Sequence, residues 1–493
     1  MPSSTHPSTS PSAPITVAIA GGGLAGLAAG CALSEARFRV TLFERRPYLG
    51  GRASSYQHPG TNEVVDNCQH VLLGCCTNLL DFYRRAGVQG KIRWYEKLNF
   101  LEPGGRVSEI APSWLPAPLH AAPAFLRANC LNLGDKMRIG RAMAALAPAL
   151  SGDGGESFLE WLKRHGQTAQ AIDRFWKTIL VSALNEDLDR VSVPHAAQVV
   201  RESFLKSAAA GRMGIPTVPL TDLYSTAGEY IRNRGGEIQF RAGVESFRQE
   251  DFGVSVTANG QEQRFDYLVL AVPYDGLGRI LPDSPKASPL IAALAQFSPS
   301  PITGIHLWFD RQISDLDHAV LLDRTVQWMF HKSRIIESRV IESRSGEGRI
   351  DEGRGSEGRE NIGGSYIELV VSCSRSLVEK SKAEIVDLAV NEAREFFPGA
   401  REAKLVKSTV IKEVHATYSP RPGIDQYRPR PETAWPRVFL AGDWIATGWP
   451  ATMEGAVRSG YLAAEGLTRF ATGKRESFLV PDLAASGLMR LLG

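Results

Sequence analysis

The chain has 493 residues, of which 43% are hydrophobic and 22% are charged, and its formal net charge is +3. A single hydrophobic core stops growing at about 250 to 300 residues, so the length favours two domains, or one domain split by another. The near-neutral charge argues against nucleic-acid binding, because a protein that follows a phosphate backbone is more basic.

The cysteines and the N-terminal residues indicate a reducing compartment. The six cysteines form no CxxC pair and no zinc-ligand spacing, and Cys75 and Cys76 are adjacent, which fits free thiols and no bound metal. Residues 1–14 are rich in Ser, Thr and Pro and lack the features of a signal or transit peptide, so we expect a disordered tail. No apolar run reaches the length of about eighteen residues that a spanning helix needs. We therefore expect a cytoplasmic protein, and peripheral contact with the cytoplasmic membrane remains open.

The first regular elements form a compact strand, helix and strand unit. Residues 15–20 are apolar and β-branched, 24–34 are small helix-forming residues, and 39–44 form a second apolar run. Such a unit starts a parallel sheet. Helical spacing follows over 76–86 and 158–184. Further strands are predicted at 237–240, 253–257, 267–272, 302–309, 326–330, 365–371 and 437–441, with a helix at 383–397.

One segment repeats every five residues. Arginine recurs in one phase from Arg334 to Arg359, and glutamate in another phase from Glu337 to Glu357. A period of five matches neither the helix nor the strand, so no face becomes consistently apolar. We expect 332–363 to be a disordered insertion. We interpret it as a neutral expansion of a surface loop in preference to a partner-binding segment.

A glycine motif lies between the first strand and the first helix. The spacing GxGxxG is provided by Gly21, Gly23 and Gly26. These glycines allow a tight turn, close approach to a pyrophosphate and close packing of the helix on the sheet. Leu24 and Ala25, at the start of the helix, offer free N–H groups to phosphates. Glu44 follows the next strand at the position that hydrogen-bonds a ribose diol, and a carboxylate there disfavours the 2′-phosphate of NADP. The pattern predicts an adenine dinucleotide.

A second motif follows Glu44 directly. It consists of Arg45, a short spacer and then Gly50, Gly51 and Arg52. This order resembles the signature of the amine oxidase and phytoene desaturase superfamily of flavoproteins. In that family the segment wraps the cofactor pyrophosphate. The resemblance implies that these residues bind FAD, with Arg52 supplying positive charge.

A third motif lies near the C-terminal end of the chain. Gly442 and Asp443 follow an apolar strand, and Met453 and Ala456 belong to the small-residue helix after it. The arrangement resembles the second FAD signature of the same family, in which the aspartate binds the ribityl and phosphate region and the helix N-terminus faces the flavin ring. Val244 resembles the position at which the family's backbone holds the adenine. Motifs from distant parts of the chain are thus expected to meet at one FAD molecule.

This resemblance implies an α/β fold, with a Rossmann-type, glutathione-reductase-like FAD-binding domain and an interleaved α+β substrate domain. We expect the FAD-binding domain to be discontinuous and to comprise 15–95, 216–280 and 429–472. The substrate domain is then expected at 96–215 and 281–428.

The segment from Val64 to Cys75, together with 184–186 and 213–216, resembles the squalene-associated flavoproteins, hydroxysqualene dehydroxylase, and the resemblance extends over nearly the whole chain. Cys68 departs from the family pattern, which has glycine there. The resemblance implies reductive removal of the allylic hydroxyl of hydroxysqualene to give squalene, a step of hopanoid biosynthesis, with hydride from reduced FAD.

That reaction needs an acid and an environment that tolerates a cation. Asp66 and His70 are the candidates for the acid, since their segment is expected to return toward the flavin. Trp444 and Trp449 flank the third motif and are candidates for lining the substrate site, where an aromatic face stabilises a cation. Purely structural roles, in turns or in the core, are the alternatives for all four residues.

Two other functions remain open. One is a carotenoid or phytoene-type desaturase, which oxidises a polyene precursor on the same fold. The other is a non-catalytic escort protein for prenylated partners, a class in which the cofactor motifs are lost. We expect a lipophilic isoprenoid substrate, and the mixture of apolar and cationic residues at 113–145 fits either an interfacial membrane segment or a helical cap. No second nucleotide motif and no iron–sulfur cysteine pattern identifies the electron donor.

Overall fold

The computed structural model describes residues 14–148, 155–336 and 364–491. Residues 1–13 of the expected tail and 337–363 of the expected insertion lie outside these ranges.

A five-stranded parallel sheet forms the centre of the first domain. Its order is Glu237–Phe240, Arg39–Glu44, Thr16–Ala20, Tyr267–Leu270 and Val438–Leu440. The inner strands are buried on both faces, which explains their continuous apolar runs. Because the strands come from three distant parts of the chain, the sheet forms only when all three segments fold together.

Helices cover one face of this sheet and a small antiparallel sheet covers the other. The helices are Leu24–Glu35, Leu220–Arg232 and Met453–Thr472, and the small sheet consists of Val244–Glu250, Gly253–Ala258 and Gln261–Phe265. Val17 and Ile19 point toward the helices, whereas Ala18 and Ala20 point toward the small sheet. The first and last helices pack closely, because any side chain at Gly460 would meet the backbone of Ala25.

A seven-stranded sheet forms the second domain. Its order is Leu405–Tyr418, Pro299–Phe309, Ser365–Ser372, Trp328–Phe330, His318–Leu321, Leu98–Leu101 and Val107–Ile110. The pairs are antiparallel, except for the parallel pair of His318–Leu321 with Leu98–Leu101. The helix Lys382–Phe396, with a capping box from Ser381 and Glu384, packs on one face through an apolar cluster that includes Ile305, Leu369 and Ala389.

Helices from the middle of the chain complete the second domain. They are Ala122–Arg127, Leu133–Leu146, Phe158–Arg164, Ala169–Ala171, Thr178–Leu184 and Val193–Val200, with π-helical turns at Ile172–Lys177 and Arg201–Leu205. The helical spacing that the sequence shows from Phe158 onward reflects a buried aromatic core. Phe158 stacks on Trp161 at 5.4 Å between ring centroids and meets Trp176 edge-on at 5.7 Å.

Short elements connect the two domains. Leu72–Leu73, Met213–Pro216 and Ile92–Tyr95 form a three-stranded sheet, and Ser55–Gln57 pairs with Val64–Asp66. The remaining α-helices are Thr77–Arg85, Tyr274–Leu277, Ser288–Leu294, Lys332–Ile335, Arg375–Val378 and Gly399–Glu402. Short 3-10 turns lie at Gln89–Lys91, Leu119–Ala121, Ala209–Gly211, Ile424–Tyr427 and Gly487–Leu491. After the last long helix the chain returns to the second domain, where the N–H of Leu488 donates to the carbonyl of Ala117 at 2.8 Å.

The start of the expected disordered insertion was placed too early. Lys332–Ile335 is a short helix, and Lys332 is only 2% exposed. Its ammonium donates to Asp66 Oδ2 and to Gln69 Oε1, each at 2.7 Å, so a residue that reads as part of a charged surface repeat is held in the interior. The rest of the repeat, 337–363, lies outside the described residues.

Within the described ranges, none of the helices is both long enough and apolar enough to cross a membrane.

Candidate functional site

The glycine motif forms a tight turn at the carboxyl end of the first strand. Gly21 has φ +108°, and its N–H donates to the carbonyl of Phe43 at 2.8 Å. Any side chain at Gly26 would clash with the carbonyl of Gly21, so the helix that carries Leu24 and Ala25 can approach the sheet this closely only with glycine there. This geometry leaves the N-terminus of the helix open to an anionic group.

The acidic residue and the second glycine motif close around the first. Glu44 is buried, and its carboxylate accepts hydrogen bonds from the N–H groups of Gly22 and Arg46, each at 2.7 Å. Gly50 donates through its N–H to the carbonyl of Gly22 at 2.9 Å. A side chain at Gly51, which has φ +62°, would lie 3.0 Å from the Cα of Gly23. The two glycine motifs are therefore in direct backbone contact.

The predicted adenine position lies at the same edge of the sheet. The N–H of Ala242 donates to the carbonyl of Glu44 at 2.9 Å, and that of Arg241 donates to the carbonyl of Arg46. Val244 begins the next strand, two residues beyond Ala242. Arg45 is exposed beside this segment, so its side chain is available from solvent. Val244 therefore lies two residues from a backbone contact of Glu44, and its role at the adenine stays a prediction.

Arg52 joins the N-terminal and C-terminal motifs. Its guanidinium donates to Asp443 Oδ1 at 2.6 Å and to the carbonyl of Ala416 at 2.9 Å. Burial by itself would lower the pKa of Arg52, but the attraction and hydrogen bond of Asp443 raise it above its ordinary value. The pair therefore stays charged and fixes the carboxylate of Asp443 beside the second glycine motif.

Arg428, which the sequence reasoning missed, shapes the loop after Asp443. Its buried guanidinium donates to the carbonyls of Ile445 and Trp449, each at 2.6 Å, and to that of Asp443 at 3.3 Å. Five donors on one planar group allow a single arginine to satisfy several inward carbonyls of an irregular loop. No short motif signals this role, because Arg428 lies in a stretch rich in arginine and proline.

The last long helix begins at the third motif. The Thr452 hydroxyl accepts from the N–H of Gly455 at 3.1 Å and caps the helix. Met453 and Ala456, predicted to face the cofactor, are each partly exposed on the first turn. Glu454 points the other way and accepts from the N–H of Leu79 at 2.7 Å, which holds the start of another helix. The first turn therefore presents small or flexible side chains on one side and a buried anchor on the other.

Gly442 makes the turn into this motif. It has φ +151°, and a side chain there would collide with the indole of Trp444. The prediction that Trp444 lines the substrate site is wrong: the residue is 0% exposed, its Nε1 donates to the carbonyl of Val272 at 3.1 Å, and its ring packs in the core beside Phe297. Aromatic residues after a motif are recruited by the core as readily as by a cavity.

Trp449 is also largely buried, at 7% exposed. It packs with Cys75 and Ala210, and the guanidinium of Arg458 lies 4.8 Å from its ring centroid. The cation in contact with Trp449 is thus a protein group. Substrate contact by Trp449 stays a prediction.

Asp66 does not fit the role of acid that the sequence suggested. Burial alone would raise its pKa, but Lys332 at 2.7 Å, the Ser55 hydroxyl at 2.6 Å and the N–H of Leu220 lower it below its ordinary value. Asp66 is therefore held as a carboxylate, which argues against a role as proton donor, and that role stays a prediction. Its partner Lys332 could not be recognised from the sequence, because it lies far along the chain beside the charged repeat.

His70 lies close to this pair but is held by its own segment. Its Nδ1 is 2.7 Å from the carbonyl of Cys68, and burial lowers its pKa below 6.5. The ring is therefore neutral at pH 7 and serves as a hydrogen-bonding group, and its role as an acid stays a prediction. The side chain of Asn67 donates to the carbonyl of Arg52, which ties this segment to the second glycine motif.

A second carboxyl group lies next to Lys332. Glu368 is 0% exposed, and its Oε2 is 3.5 Å from Lys332 Nζ. Burial raises its pKa from 4.5 to about 7, against the opposing effect of Lys332. Glu368 is a lone charged residue inside the apolar strand Ser365–Ser372. A charged residue in such a strand indicates a buried ionisable group, and the sequence analysis did not use this signal.

A third acidic group, formed by Glu186, Asp187 and Cys373, brings three potential metal ligands within 4.8 Å of one another. Arg375 donates to Glu186 Oε1 at 2.5 Å and to Oε2 at 2.7 Å, so a cation from the protein already pairs with Glu186. The arrangement fits an internal ion pair.

The residues at the junction of the three motifs fit a flavin dinucleotide. Backbone approach is possible only because glycines occupy Gly21, Gly26 and Gly51, and the open helix N-terminus suits the pyrophosphate. Glu44 would contact the ribose, and Asp443 with Arg52 would bind the ribityl and phosphate region. When bound, the flavin supplies hydride transfer, while the chain supplies binding and orientation.

Comparisons with known proteins agree with this geometry. The family model of flavin containing amine oxidoreductases matches residues 24–468. A 15-cis-phytoene desaturase from Synechococcus elongatus is 28% identical over 92% of this chain and 95% of that enzyme. A zeta-carotene desaturase from Zea mays is 25% identical over 90% of this chain and 82% of that enzyme. The solved structure of a putrescine oxidase bound to putrescine aligns with a TM-score of 0.68 and 18% identity, covering 92% of this chain and 98% of that one.

Proposed function

The chain belongs to the flavin containing amine oxidoreductase family, and within this family we propose that it acts on a long isoprenoid hydrocarbon, with desaturation of a carotenoid precursor as its reaction. The protein is an FAD-dependent oxidoreductase. The observation that carries the substrate proposal is the similarity to 15-cis-phytoene desaturase, which extends over nearly the whole length of both chains.

Desaturation removes a hydride from one carbon and a proton from its neighbour. Bound FAD would supply the hydride acceptor, so the protein must hold the hydrocarbon in the site, exclude water and take up the proton. The segment from Asp66 to His70 is tied to Arg52 through Asn67, which supports a place for it beside the proposed cofactor site. The apolar side chains around it, which include Val71, Leu73 and Ile302, suit a hydrocarbon.

Reductive dehydroxylation of hydroxysqualene is the second candidate, and it runs in the opposite direction. Two observations favour it: the sequence from Asp66 to Gly74, which resembles the squalene-associated flavoproteins, and Glu368, a buried carboxyl group that holds a proton near pH 7. Loss of a hydroxyl group as water requires such a proton. Both candidates share the substrate class and the use of hydride.

Product analysis distinguishes the two reactions. Oxidised protein is incubated with 15-cis-phytoene, and dithionite-reduced protein with hydroxysqualene, both without oxygen and in detergent. Desaturation predicts a product with an added double bond from the first incubation only. Formation of squalene in the second incubation alone would overturn desaturation in favour of dehydroxylation. Protein carrying Gly26→Val, which we expect to lack FAD, is the control for flavin-independent conversion.

We also propose that an apolar patch on the helical part of the second domain docks on a lipid surface. The patch consists of Trp114, Leu119, Leu126, Leu133, Met137, Leu488 and Leu491. Trp114 is 90% exposed, Leu133 is 68% exposed, and Leu491 is 82% exposed. Leu133 and Met137 lie one turn apart on one helix face, and the bond from Leu488 to Ala117 brings the C-terminal residues alongside. Exposed apolar area of this kind marks interaction sites.

Charge favours an anionic membrane as the occupant of the patch. Arg127, Arg138 and Arg141 are exposed around it, and Asp135, which is buried, is the only acidic residue from 113 to 146. Cations that flank apolar side chains are typical of interfacial helices. Such docking would bring the protein to a hydrocarbon substrate that is dissolved in the bilayer.

Vesicle flotation tests this surface. Wild-type protein should float with vesicles of anionic phospholipid and less with vesicles of phosphatidylcholine. The double variant Leu133→Asp with Met137→Asp should lose most of this binding. Phe252→Asp is the matched control, because Phe252 is 77% exposed on a hairpin of the first domain. Equal flotation of all three proteins would contradict docking through the patch.

A further inference from the structure

The seven-stranded sheet has one apolar face and one face with ionisable groups. Side chains alternate along a strand, so Ile367 and Leu369 join the apolar cluster under the long helix, while Tyr366 and Glu368 point to the opposite side. Glu368 pairs in register with His306 on the neighbouring strand. The polar side of the sheet faces the segment from Asp66 to His70.

Charged and titratable groups from four elements meet at Glu368. The 66–70 segment contributes Asp66 and the thiol of Cys68, whose pKa is raised by burial and by Glu368 so that it stays neutral. The short helix contributes Lys332, the neighbouring strand contributes His306, and Tyr366 comes from the same strand. Lys332 Nζ is 2.7 Å from Asp66 Oδ2 and 3.5 Å from Glu368 Oε2. Among the described residues, the donors nearest to Glu368 are the backbone N–H of Gln69 and the ammonium of Lys332, and neither makes a well-formed hydrogen bond to its oxygens.

The charges in this cluster do not balance. Asp66 is held as an anion by Lys332, Ser55 and Leu220, and burial lowers the pKa of His306 to about 3, so His306 is neutral. One ammonium therefore faces two carboxyl groups in the protein interior. An uncompensated buried anion is expensive, and one proton on Glu368 removes that cost. The cluster is built to hold one exchangeable proton.

The cluster lies directly behind the predicted cofactor loop. A side chain at Gly304 would lie 3.3 Å from the carbonyl oxygen of Asn67 and 3.7 Å from Glu368 Oε1, so the strand, the segment and the carboxyl group are in contact there. The side chain of Asn67 in turn donates to the carbonyl of Arg52. Only the thickness of the 66–70 segment separates Glu368 from the second glycine motif.

We propose that Glu368 is the proton store of the redox reaction, which takes up or gives the proton that must accompany each hydride. In desaturation, a C–H bond gives its electron pair as hydride to the flavin, and the neighbouring C–H bond gives its electron pair to the new double bond and releases its proton, which reaches the Glu368 carboxylate across the 66–70 segment. In dehydroxylation, the proton of the carboxylic acid crosses the same segment to the hydroxyl, the C–O electron pair leaves with water, and the hydride forms the new C–H bond. This inference rests on the proposed function, hydride exchange with an isoprenoid, and it holds for either direction of the reaction.

The first test needs no substrate. The FAD-loaded protein is studied by infrared spectroscopy for the C=O band of a protonated carboxylic acid, and the midpoint potential of its flavin is measured from pH 5.5 to 9. In wild-type protein the band should disappear around pH 7, and the potential should change its pH dependence at the same point. Glu368→Gln should remove both features.

Glu392→Gln is the matched control. Glu392 is another buried glutamate of this domain, but it lies on the helix behind the sheet and accepts from the N–H groups of Thr325 and Val326. Both pH-dependent features should survive in this variant. Their persistence in Glu368→Gln would overturn the proposal. If Glu368→Gln does not hold FAD, Glu368→Asp replaces it, with a displaced transition expected and an unchanged transition contradicting the proposal.

The second test uses the substrate that wild-type protein converts. The rate of the anaerobic half-reaction should depend on an ionisation near pH 7, and Glu368→Gln should lower the rate at least tenfold and abolish that dependence, while FAD content stays normal. Glu368→Asp should restore part of the rate with a shifted profile. An unchanged pH profile in Glu368→Gln would refute the proton store. If wild-type protein converts neither isoprenoid, the proposed function fails, and the infrared and potential measurements still decide on Glu368.

Discussion

Replacing Glu368 by glutamine should change the pH dependence of stability by an amount that follows from its burial. Burial raises the pKa of the folded protein's Glu368 from 4.5 to about 7. One pKa unit corresponds to about 1.4 kcal/mol, so ionisation of this group costs the folded state about 3 kcal/mol relative to the unfolded chain. The cost is absent below the unfolded pKa of 4.5, grows as the pH rises and is complete above about 7. Glutamine never ionises, so the stability of the variant relative to wild type should increase by about 3 kcal/mol over this interval.

The neighbouring groups either titrate outside this pH interval or change the stability of both proteins equally. The pKa of Asp66 is lowered, so its stabilising effect is lost only when the pH falls below 3.8. The pKa of Lys332 is raised, because Asp66 and Glu368 outweigh the opposing effect of burial, so its contribution is lost only above pH 10.5. The pKa of His306 is lowered to about 3, so the folded state loses stability relative to the unfolded chain as the pH falls from 6.5. This loss is the same in both proteins.

Thermal unfolding measures the difference. The two proteins are compared with a fixed excess of FAD at several values between pH 4.5 and 8, and the difference in Tm should grow by a few degrees in favour of Glu368→Gln. Glu392→Gln, which replaces one of the two oxygens that accept from backbone N–H groups, reports the effect of removing a well-bonded carboxylate. A constant difference between wild type and Glu368→Gln across the range would refute the reasoning.

Three further substitutions probe the cofactor site. Gly26→Val should abolish FAD binding, measured as the ratio of flavin to protein absorbance. The control Gly140→Val should retain FAD, because a side chain there would meet nothing within 4 Å. FAD retention by Gly26→Val would contradict the close-packed turn. Arg428→Met leaves buried carbonyls without a donor, at a cost of about 1–3 kcal/mol each, and should lower both Tm and FAD content, while Arg430→Met at an exposed position should not. Arg52→Gln should weaken FAD binding by about 10- to 100-fold in a fluorescence titration, because it removes a charged hydrogen bond of about 1.5–3 kcal/mol, and unchanged affinity would exclude Arg52 from the site.

Local patterns in the sequence were sufficient to predict the fold class, which the comparisons confirm. The glycines of the first motif can be recognised because the turn from Gly21 to Gly26 admits no side chain, whatever surrounds it. The apolar run at 16–20 identifies a buried parallel strand for a similar local reason. The comparisons confirm the assignment of FAD as well. FAD could be predicted because the motifs around Gly51 and Asp443 each indicate it separately.

Long-range contacts could not be predicted in this way. Lys332 was assigned to a disordered insertion because the charged repeat beside it dominates the local pattern, while its fate is decided by Asp66, more than two hundred residues earlier. The same contact turns Asp66 from a candidate acid into a fixed carboxylate. Trp444 was predicted to face the substrate, but its indole lies in the core, where Nε1 donates to the carbonyl of Val272 and the ring packs beside Phe297. In each case the partner that decides the role is distant in sequence.

Anaerobic mixing of the oxidised, FAD-loaded protein with 15-cis-phytoene tests most directly whether the flavin exchanges hydride with an isoprenoid. The absorbance of oxidised flavin should bleach in proportion to product formed, and a parallel mixture of dithionite-reduced protein with hydroxysqualene covers the opposite direction. Bleaching in the first mixture is the result expected for a desaturase. An unchanged flavin spectrum in both mixtures, with FAD bound and substrate dispersed, would contradict an isoprenoid oxidoreductase.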